Sequence, residues 1–274
     1  MPQQQATPTV ERSGRDALRY MCRHLVALCV WYVRRGSAGD ARFAAYSGTL
    51  IRIRGATCLL TAGHVLRDLE AAMDDASVEI KGASLADTFG LGAVTDHPIP
   101  FDLRAARASF FHVVDDAAGL DFGVVPLDPH HVGLLRRHDM VAMGEENWLH
   151  QHRVAFDGYA MLGLPEQFTS ERLDDSGAGV VSPTFISLRR LDPPPGDLRA
   201  TTYPRFVGQI DPKLDIDSVV GMSGGPIFGF RRNHELRYWV VAIQSSWLAS
   251  RGIVFGCSVP VIASIIAEQQ APAA

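Results

Sequence analysis

The sequence predicts an all-β protein, built as a pair of antiparallel barrels and closed by a helix. Short apolar segments of strand length alternate with turn residues along most of the chain. The pattern occurs in both halves, on either side of a polar stretch from Asp128 to His152. Near the end, Ile262, Ile265 and Ile266 have helical spacing. Many short strands with frequent turns are typical of barrels.

These boundaries divide the chain into five parts. We expect an N-terminal arm with a short helix over residues 1–24 and a first six-stranded barrel over residues 25–128. A connector, partly helical, follows over residues 129–152. A second six-stranded barrel covers residues 153–259, and a C-terminal helix and tail cover residues 260–274.

The strands of the first half are predicted from apolar runs and from alternation. Leu25–Val33 is apolar, and Leu50–Arg54 alternates apolar with charged side chains. A turn at Gly55 and Ala56 then leads into Thr57–Leu60, which predicts a hairpin. Further strands are expected at Val78–Lys81, Phe110–Val114 and Phe122–Leu127.

The second half repeats the pattern. Asp192–Gly196 contains three consecutive prolines and is expected to be a loop, because proline cannot donate to a sheet ladder. Strands are predicted at Val154–Leu164, Ile186–Leu191, Phe206–Ile210, Pro226–Phe230, Tyr238–Gln244 and Ile253–Ser258.

Composition argues against two kinds of partner. The net charge is −4, from 26 basic and 30 acidic residues, so no overall basic field attracts nucleic acid. The apolar run Leu25–Val33 has about half the roughly twenty residues that a membrane span needs. No secretory signal is visible at the N-terminus. We therefore expect a cytoplasmic protein with four reduced, buried cysteines: Cys22, Cys29, Cys58 and Cys257.

The strongest chemical motif is Gly221-Met222-Ser223-Gly224-Gly225-Pro226. A nucleophilic serine needs a tight turn that exposes its hydroxyl and aims backbone N–H groups at the developing oxyanion. Glycines on both sides permit such a turn and the close approach of a substrate. The alternative is an ordinary glycine-rich turn between two strands.

Two further motifs carry a possible base and a possible orienting acid. His64 follows the apolar strand in Leu60-Thr61-Ala62-Gly63-His64, where a rigid element would hold the imidazole. Asp121 opens the apolar segment Phe122–Leu127, and a partly buried carboxylate there needs a partner such as an imidazole N–H. Taken singly, a structural histidine and a turn-capping aspartate explain these residues at least as well.

Together, the three motifs in the order His, Asp, Ser resemble the trypsin-like (chymotrypsin-fold) serine peptidases. Ser47-Gly48-Thr49-Leu50-Ile51 also resembles the family's strand before the histidine hairpin. The resemblance implies two barrels of the chymotrypsin type and a serine endopeptidase with His64, Asp121 and Ser223 as its triad. It also implies an oxyanion hole formed by the N–H groups of Gly221 and Ser223, and no metal or organic cofactor.

The resemblance suggests substrate-binding residues as well. Gln244 and Ser245, which end the strand from Tyr238, are candidates for pairing with the substrate backbone. Asp217 stands six residues before Ser223, where an acid followed by Ser218 would favour arginine or lysine at the cleavage site. A solvated acidic loop explains Asp217 equally simply.

Two positions depart from the family's secreted members. Val65 follows the histidine where those proteins carry a cysteine, so no local disulfide forms there. Met222 replaces the acid that binds a newly cut N-terminus, so that activation step is not expected here.

Two other functions remain open: a catalytically silent binding module with a protease-like fold, and an esterase-type acyl hydrolase. The expected partners are a protein or peptide substrate and a regulatory protein that restrains a cytoplasmic protease. The pairs His130 and His131, and His150 and His152, lack supporting ligands, so no metal site is predicted.

Overall fold

A computed structural model describes residues 18–36, 41–88, 98–169, 181–214, 216, 218–232 and 236–269. These residues form two antiparallel β units, joined by a partly helical connector. A short helix, α1 (residues 18–22), precedes the first unit, and α5 (Val259–Gln269) follows the second. The predicted all-β architecture with a helix at each end is confirmed.

The first unit is a seven-stranded antiparallel sheet within the described part of the chain. The strand order is β5-β4-β1-β2-β3-β7-β6, and the sheet does not close there into the expected six-stranded barrel. The additional strand, β5, has two residues and ends at Pro100, which suits an edge because proline has no N–H to donate. The strands are β1 (Leu25–Arg34), β2 (Arg42–Ile53), β3 (Ala56–Thr61), β4 (Val78–Ala86), β5 (Ile99–Pro100), β6 (Phe111–Asp115) and β7 (Leu120–Pro126).

The predicted hairpin joins β2 and β3. Its turn lies at Arg54 and Gly55, one residue earlier than expected, and Ala56 already pairs with Ile53. Arg54 and Gly55 have φ values of 50° and 84°, the left-handed conformation that a two-residue hairpin turn requires.

The second unit is a closed six-stranded barrel, as expected, with the order β10-β13-β12-β11-β8-β9. Every strand predicted in this half is present. β8 begins later than Val154, and β12 continues past Gln244 to Leu248 through a bulge. The strands are β8 (Gly158–Gly163), β9 (Thr184–Arg190), β10 (Arg205–Ile210), β11 (Pro226–Arg232), β12 (Leu236–Leu248) and β13 (Ile253–Ser258).

The strand prediction overlooked two helices in the first half, α2 (Gly63–Asp74) and α3 (Leu103–Arg107). The spacing of the buried residues Val65, Leu66, Leu69 and Met73 gives the helical period of α2. The connector contains α4 (Pro129–Arg137), with Asp128 accepting a hydrogen bond from the His131 N–H at 2.9 Å. No helix among the described residues is long and apolar enough to cross a membrane.

His24 joins three parts of the molecule. Its Nδ1 lies 2.7 Å from the carbonyl oxygen of Val141 in the connector, and its Nε2 lies 2.7 Å from the Tyr238 hydroxyl on β12. Burial lowers the pKa of this imidazole to about 4, so the ring is neutral at pH 7.

The four cysteines are buried and unpaired, which agrees with the expectation of buried thiols. Burial raises the pKa of the Cys29 thiol to about 12 and that of the other three to about 11. Thiols in this state are poor nucleophiles at neutral pH.

Candidate functional site

His64 is positioned by the junction between β3 and α2. The helix begins at Gly63, and a Cβ at that residue would collide with the carbonyl oxygens of Val113 and Phe122. Glycine therefore lets α2 start close against β6 and β7, which brings His64 next to the beginning of β7.

Asp121, the second residue of β7, binds His64 twice. Its Oδ2 lies 2.8 Å from the ring Nδ1, and its Oδ1 accepts a bond of 2.9 Å from the His64 backbone N–H. The side chains are 30% and 15% exposed. The hydrogen bond to Asp121 raises the pKa of His64, burial partly opposes the rise, and the carboxylate charge adds to it.

Ser223 occupies the tight turn before β11. Gly221 and Gly224 flank this turn with φ values of 89° and 96°, which L side chains rarely adopt. A Cβ at Gly224 would also meet the carbonyl oxygen of Ser47 and the hydroxyl of Thr61. Glycine is required here for both conformation and space.

Two backbone N–H groups of this turn are free within the described part of the chain. The N–H of Met222 bonds Val219, that of Gly224 bonds the Gln244 carbonyl at 2.8 Å, and that of Gly225 bonds Met222. The N–H groups of Gly221 and Ser223 have no acceptor among the described residues. They are the two groups that the sequence nominates as an oxyanion hole.

Hydroxyl groups of the first unit form hydrogen bonds with the backbone of the turn that carries Ser223. Ser47 Oγ donates to the Gly221 carbonyl at 2.9 Å and accepts from the Leu164 N–H at 2.9 Å. Thr49 Oγ1 donates to the Gly224 carbonyl at 2.9 Å. Thr61 Oγ1 donates to the Ser47 carbonyl at 2.9 Å, so the hydroxyls form one connected set.

A cleft of about 700 Å³ contains the candidate residues from both units. His64 and Asp121 line it from the first unit, and Gly221 and Ser223 from the second. The hydrogen bonds of the His64 side chain are to Asp121, and none joins it to Ser223 in the described structure. No group of three histidine, cysteine or acidic side chains among the described residues is placed to hold a metal ion.

The predicted substrate-binding residues divide into three cases. Gln244 and Ser245 line the cleft, and Ser245 Oγ bonds the Phe255 carbonyl at 3.3 Å. Ser218 does not line it; its hydroxyl accepts from the Val220 N–H at 3.1 Å. Asp217 lies outside the described residues, so its predicted role stays a prediction.

One edge of β12 has no described strand beside it near Ser223. The ladder between β12 and β11 ends at the pair Ile243 and Pro226, whereas the ladder with β13 continues to Leu248. Among the described strands, the far end of β12 is therefore paired with β13 alone. Its residues Ser246 and Trp247 line the cleft.

Sequence reasoning missed the supporting hydroxyls. Ser47 and Thr49 were noted for their resemblance to a family strand and not for contact with the serine turn. Their spacing of two on one strand, with both side chains fully buried, is a weak signal for a shared polar partner. Cys257 was also missed: its sulfur lies 3.0 Å from the Asp121 N–H and supports the start of β7.

Comparison with known proteins gives matches among solved structures. No family model and no curated protein matches the chain. The chain is similar to solved structures of proteases. One is a thermostable serine protease, AL20, from an extremophilic microorganism, with 12% identity, 91% of this chain and 99% of that chain covered, and a TM-score of 0.46.

Two further matches are of the same kind. A Glu endopeptidase has 13% identity, with 88% of this chain and 90% of that chain covered and a TM-score of 0.47. The protease Anisep from Arthrobacter nicotinovorans has 12% identity, with 86% and 90% covered and a TM-score of 0.42. At such identities and scores, the chemistry of this chain has to be judged from its own residues.

Proposed function

We propose that this protein is a serine endopeptidase in which His64, Asp121 and Ser223 act as the catalytic triad. The observation that carries the proposal is the pairing of His64 with Asp121 in the cleft that also contains Ser223. This carboxylate fixes the Nδ1–H tautomer, which leaves Nε2 unprotonated and able to accept a proton.

In the proposed reaction, Ser223 Oγ attacks the scissile carbonyl carbon while His64 Nε2 takes the hydroxyl proton. The tetrahedral intermediate collapses, the C–N bond breaks, and His64 returns the proton to the leaving amine. Water then attacks the acyl-enzyme by the same route and releases the acid. The absence of a bond between His64 and Ser223 in the free protein is compatible with this role, because such contacts often tighten only when substrate binds.

The N–H groups of Gly221 and Ser223 would stabilise the negative oxygen of the intermediate. Their lack of acceptors among the described residues supports this role, since an oxyanion hole needs donors that are not already engaged. The hydroxyls of Ser47 and Thr49, which bond the carbonyls of Gly221 and Gly224, would keep the turn in position.

A peptide substrate is favoured over a small ester by the open edge of β12. An extended peptide can add to an exposed strand through main-chain hydrogen bonds. The edge near Ser246 and Trp247 lies in the same cleft as the serine, so a bound peptide would place a carbonyl group within reach of Ser223.

The test is labelling of the purified protein with a fluorophosphonate probe. We expect the wild type to be labelled, and Ser223→Ala and His64→Ala to lose labelling by several orders of magnitude. Ser187→Ala is the matched control, because Ser187 is exposed on β9 and does not line the cleft. Its labelling should equal that of the wild type.

Competition separates the remaining functions. An unstructured peptide that slows hydrolysis of a small ester, and is itself cleaved, supports the endopeptidase. Ester hydrolysis that peptides do not affect would favour an acyl hydrolase. An unlabelled wild-type protein would contradict the proposal and favour a silent binding module.

A further inference from the structure

Gln244 carries a side-chain amide that is buried beside the cleft. The residue is 1% exposed, and its Oε1 has no hydrogen-bond partner within the described part of the chain. Its backbone is fully used: the N–H bonds the Gly225 carbonyl at 2.9 Å, and the carbonyl bonds the Gly224 N–H. Buried amide groups in folded proteins are normally paired, so an unpaired one beside a cleft points to a ligand.

The side chain of Gln244 lies close to the turn that carries Ser223, because the backbone of Gln244 bonds to that turn. Side chains alternate along a strand, so Gln244 is on the same face of β12 as Ala242. Ala242 packs in the barrel interior with Val219 and Met222, which belong to the segment leading to Ser223. Gln244 and Val219 also line the cleft. The amide therefore sits between the barrel interior and the cleft.

We propose that Gln244 determines cleavage specificity by hydrogen bonding to the side chain of the substrate residue whose carbonyl Ser223 attacks. The preferred side chain is a carboxamide, that of glutamine or asparagine. This inference rests on the proposed endopeptidase function and adds the substrate class.

Charged side chains line parts of the cleft, Glu166 among them, but none belongs to the two segments that flank Gln244. The described segments on either side of Gln244 in the cleft, residues 219–221 and 245–247, contain no charged side chain. A charged substrate group would lose its hydration there and would gain only a hydrogen bond to one neutral amide.

A carboxamide supplies the donor nitrogen that the unpaired Gln244 oxygen lacks among the described residues. Each amide carries one acceptor oxygen and one donor nitrogen, so two facing amides satisfy each other. Rotation about the last side-chain bond of Gln244 exchanges its oxygen and nitrogen, which allows either end to face the cleft. An aliphatic substrate side chain would leave the Gln244 oxygen unpaired. The free-energy cost of that buried, unpaired group would make the site select against aliphatic substrates.

The experiment measures kcat/KM for peptides that differ only in the residue at the cleavage site: glutamine, asparagine, norleucine, glutamate or arginine. Wild type should cleave the better carboxamide peptide at least about tenfold faster than the norleucine peptide. Gln244→Met keeps the size but removes the hydrogen bonds, and should reduce that ratio to within about threefold. Fluorophosphonate labelling of Ser223 reports separately whether this variant keeps a reactive serine.

Two variants complete the design. Gln167→Met is the matched control, because Gln167 is exposed in the 3₁₀ turn at Glu166–Phe168 and should leave the preference intact. Gln244→Glu keeps the shape with a carboxylate, and should shift the preference from carboxamide towards arginine. This second variant tests the inference if Gln244→Met does not fold.

The outcomes are distinguishable. Equal cleavage of glutamine and norleucine peptides by the wild type would overturn the inference, and so would an unchanged preference in Gln244→Met. A wild-type preference for arginine would overturn it and would favour the role that the sequence predicts for Asp217. In each of these cases Ser223 is still labelled, whereas failure of the endopeptidase proposal itself would appear as an unlabelled wild type.

Discussion

The hydroxyl of Ser47 donates a hydrogen bond of 2.9 Å to the carbonyl oxygen of Gly221. The two residues lie 174 positions apart, in different β units, and Ser47 is fully buried. Gly221 contributes one of the two N–H groups that we assign to the oxyanion hole. The first unit therefore supplies part of the support for the turn that carries Ser223 in the second.

Ser47→Ala is expected to destabilise the protein by about 1–3 kcal/mol, because the substitution leaves two buried groups, the Gly221 carbonyl and the Leu164 N–H, without their partner. Urea unfolding measures this change. Turnover should also fall, since the turn loses a restraint, and kcat should fall more than KM rises.

Ser109→Ala is the control for this change. Its hydroxyl makes a bond of similar length, 2.7 Å, to the Ala106 carbonyl, but at the surface. Its effect on the free energy of unfolding should stay within about 0.5 kcal/mol. Equal stability of Ser47→Ala and wild type would contradict the supporting role of Ser47.

Asp121→Asn should change the dependence of activity on pH. The mechanism needs a neutral His64, so kcat/KM rises as pH increases through the pKa of that ring. Because the bond to Asp121 is the largest cause of the raised pKa, its loss should move the acidic limb to lower pH. The maximal rate should fall by about 10⁴-fold, since the asparagine favours the wrong tautomer.

The measurement is a profile of kcat/KM from acidic to mildly basic pH for both proteins. Asp68→Asn is the matched control, because Asp68 also lines the cleft and acts on His64 only through its charge. It should shift the limb slightly in the same direction and leave the maximal rate nearly unchanged. An acidic limb at the same pH in Asp121→Asn would argue against His64 as the base.

His24 should make the protein less stable in acid. Burial lowers its pKa from the ordinary 6.5 to about 4, so between these values the unfolded chain binds more protons than the folded one. Stability therefore falls as pH decreases through this window. The contribution of His24 to the loss between pH 7 and pH 5 should be about 2 kcal/mol.

Urea unfolding at pH 7 and pH 5 checks this value by comparison of the wild type with His24→Gln. The variant should be less stable at pH 7, because the bonds to Val141 and Tyr238 are disturbed, but should lose less stability in acid. His130→Gln, at an exposed position, should show the same loss in acid as the wild type. An identical loss in His24→Gln would assign the acid sensitivity to other groups.

Local patterns predicted most strands, because alternation and turn residues are properties of short segments. The hairpin between β2 and β3 was placed within one residue, and β13 at its observed bounds. Helix α2 was not predicted, because Ala62 at its N-cap makes no side-chain capping bond and so gives no local signal for a helix start. The prediction of a closed first barrel also differs from the observed sheet, since closure depends on how distant strands pair.

For the candidate site, too, local features can be predicted from the sequence, whereas long-range contacts cannot. Local sequence patterns indicate residues of suitable chemistry: a histidine after an apolar strand, an aspartate opening another, and a serine between glycines. These features can be recognised in the sequence because each depends on residues that are neighbours in the chain. The folded chain is needed to show that Asp121 binds His64, that Ser47 contacts Gly221, and that the oxygen of Gln244 lacks a described partner. Such contacts join residues 57 to 174 positions apart, and no local pattern encodes a distance between strands that meet only after folding.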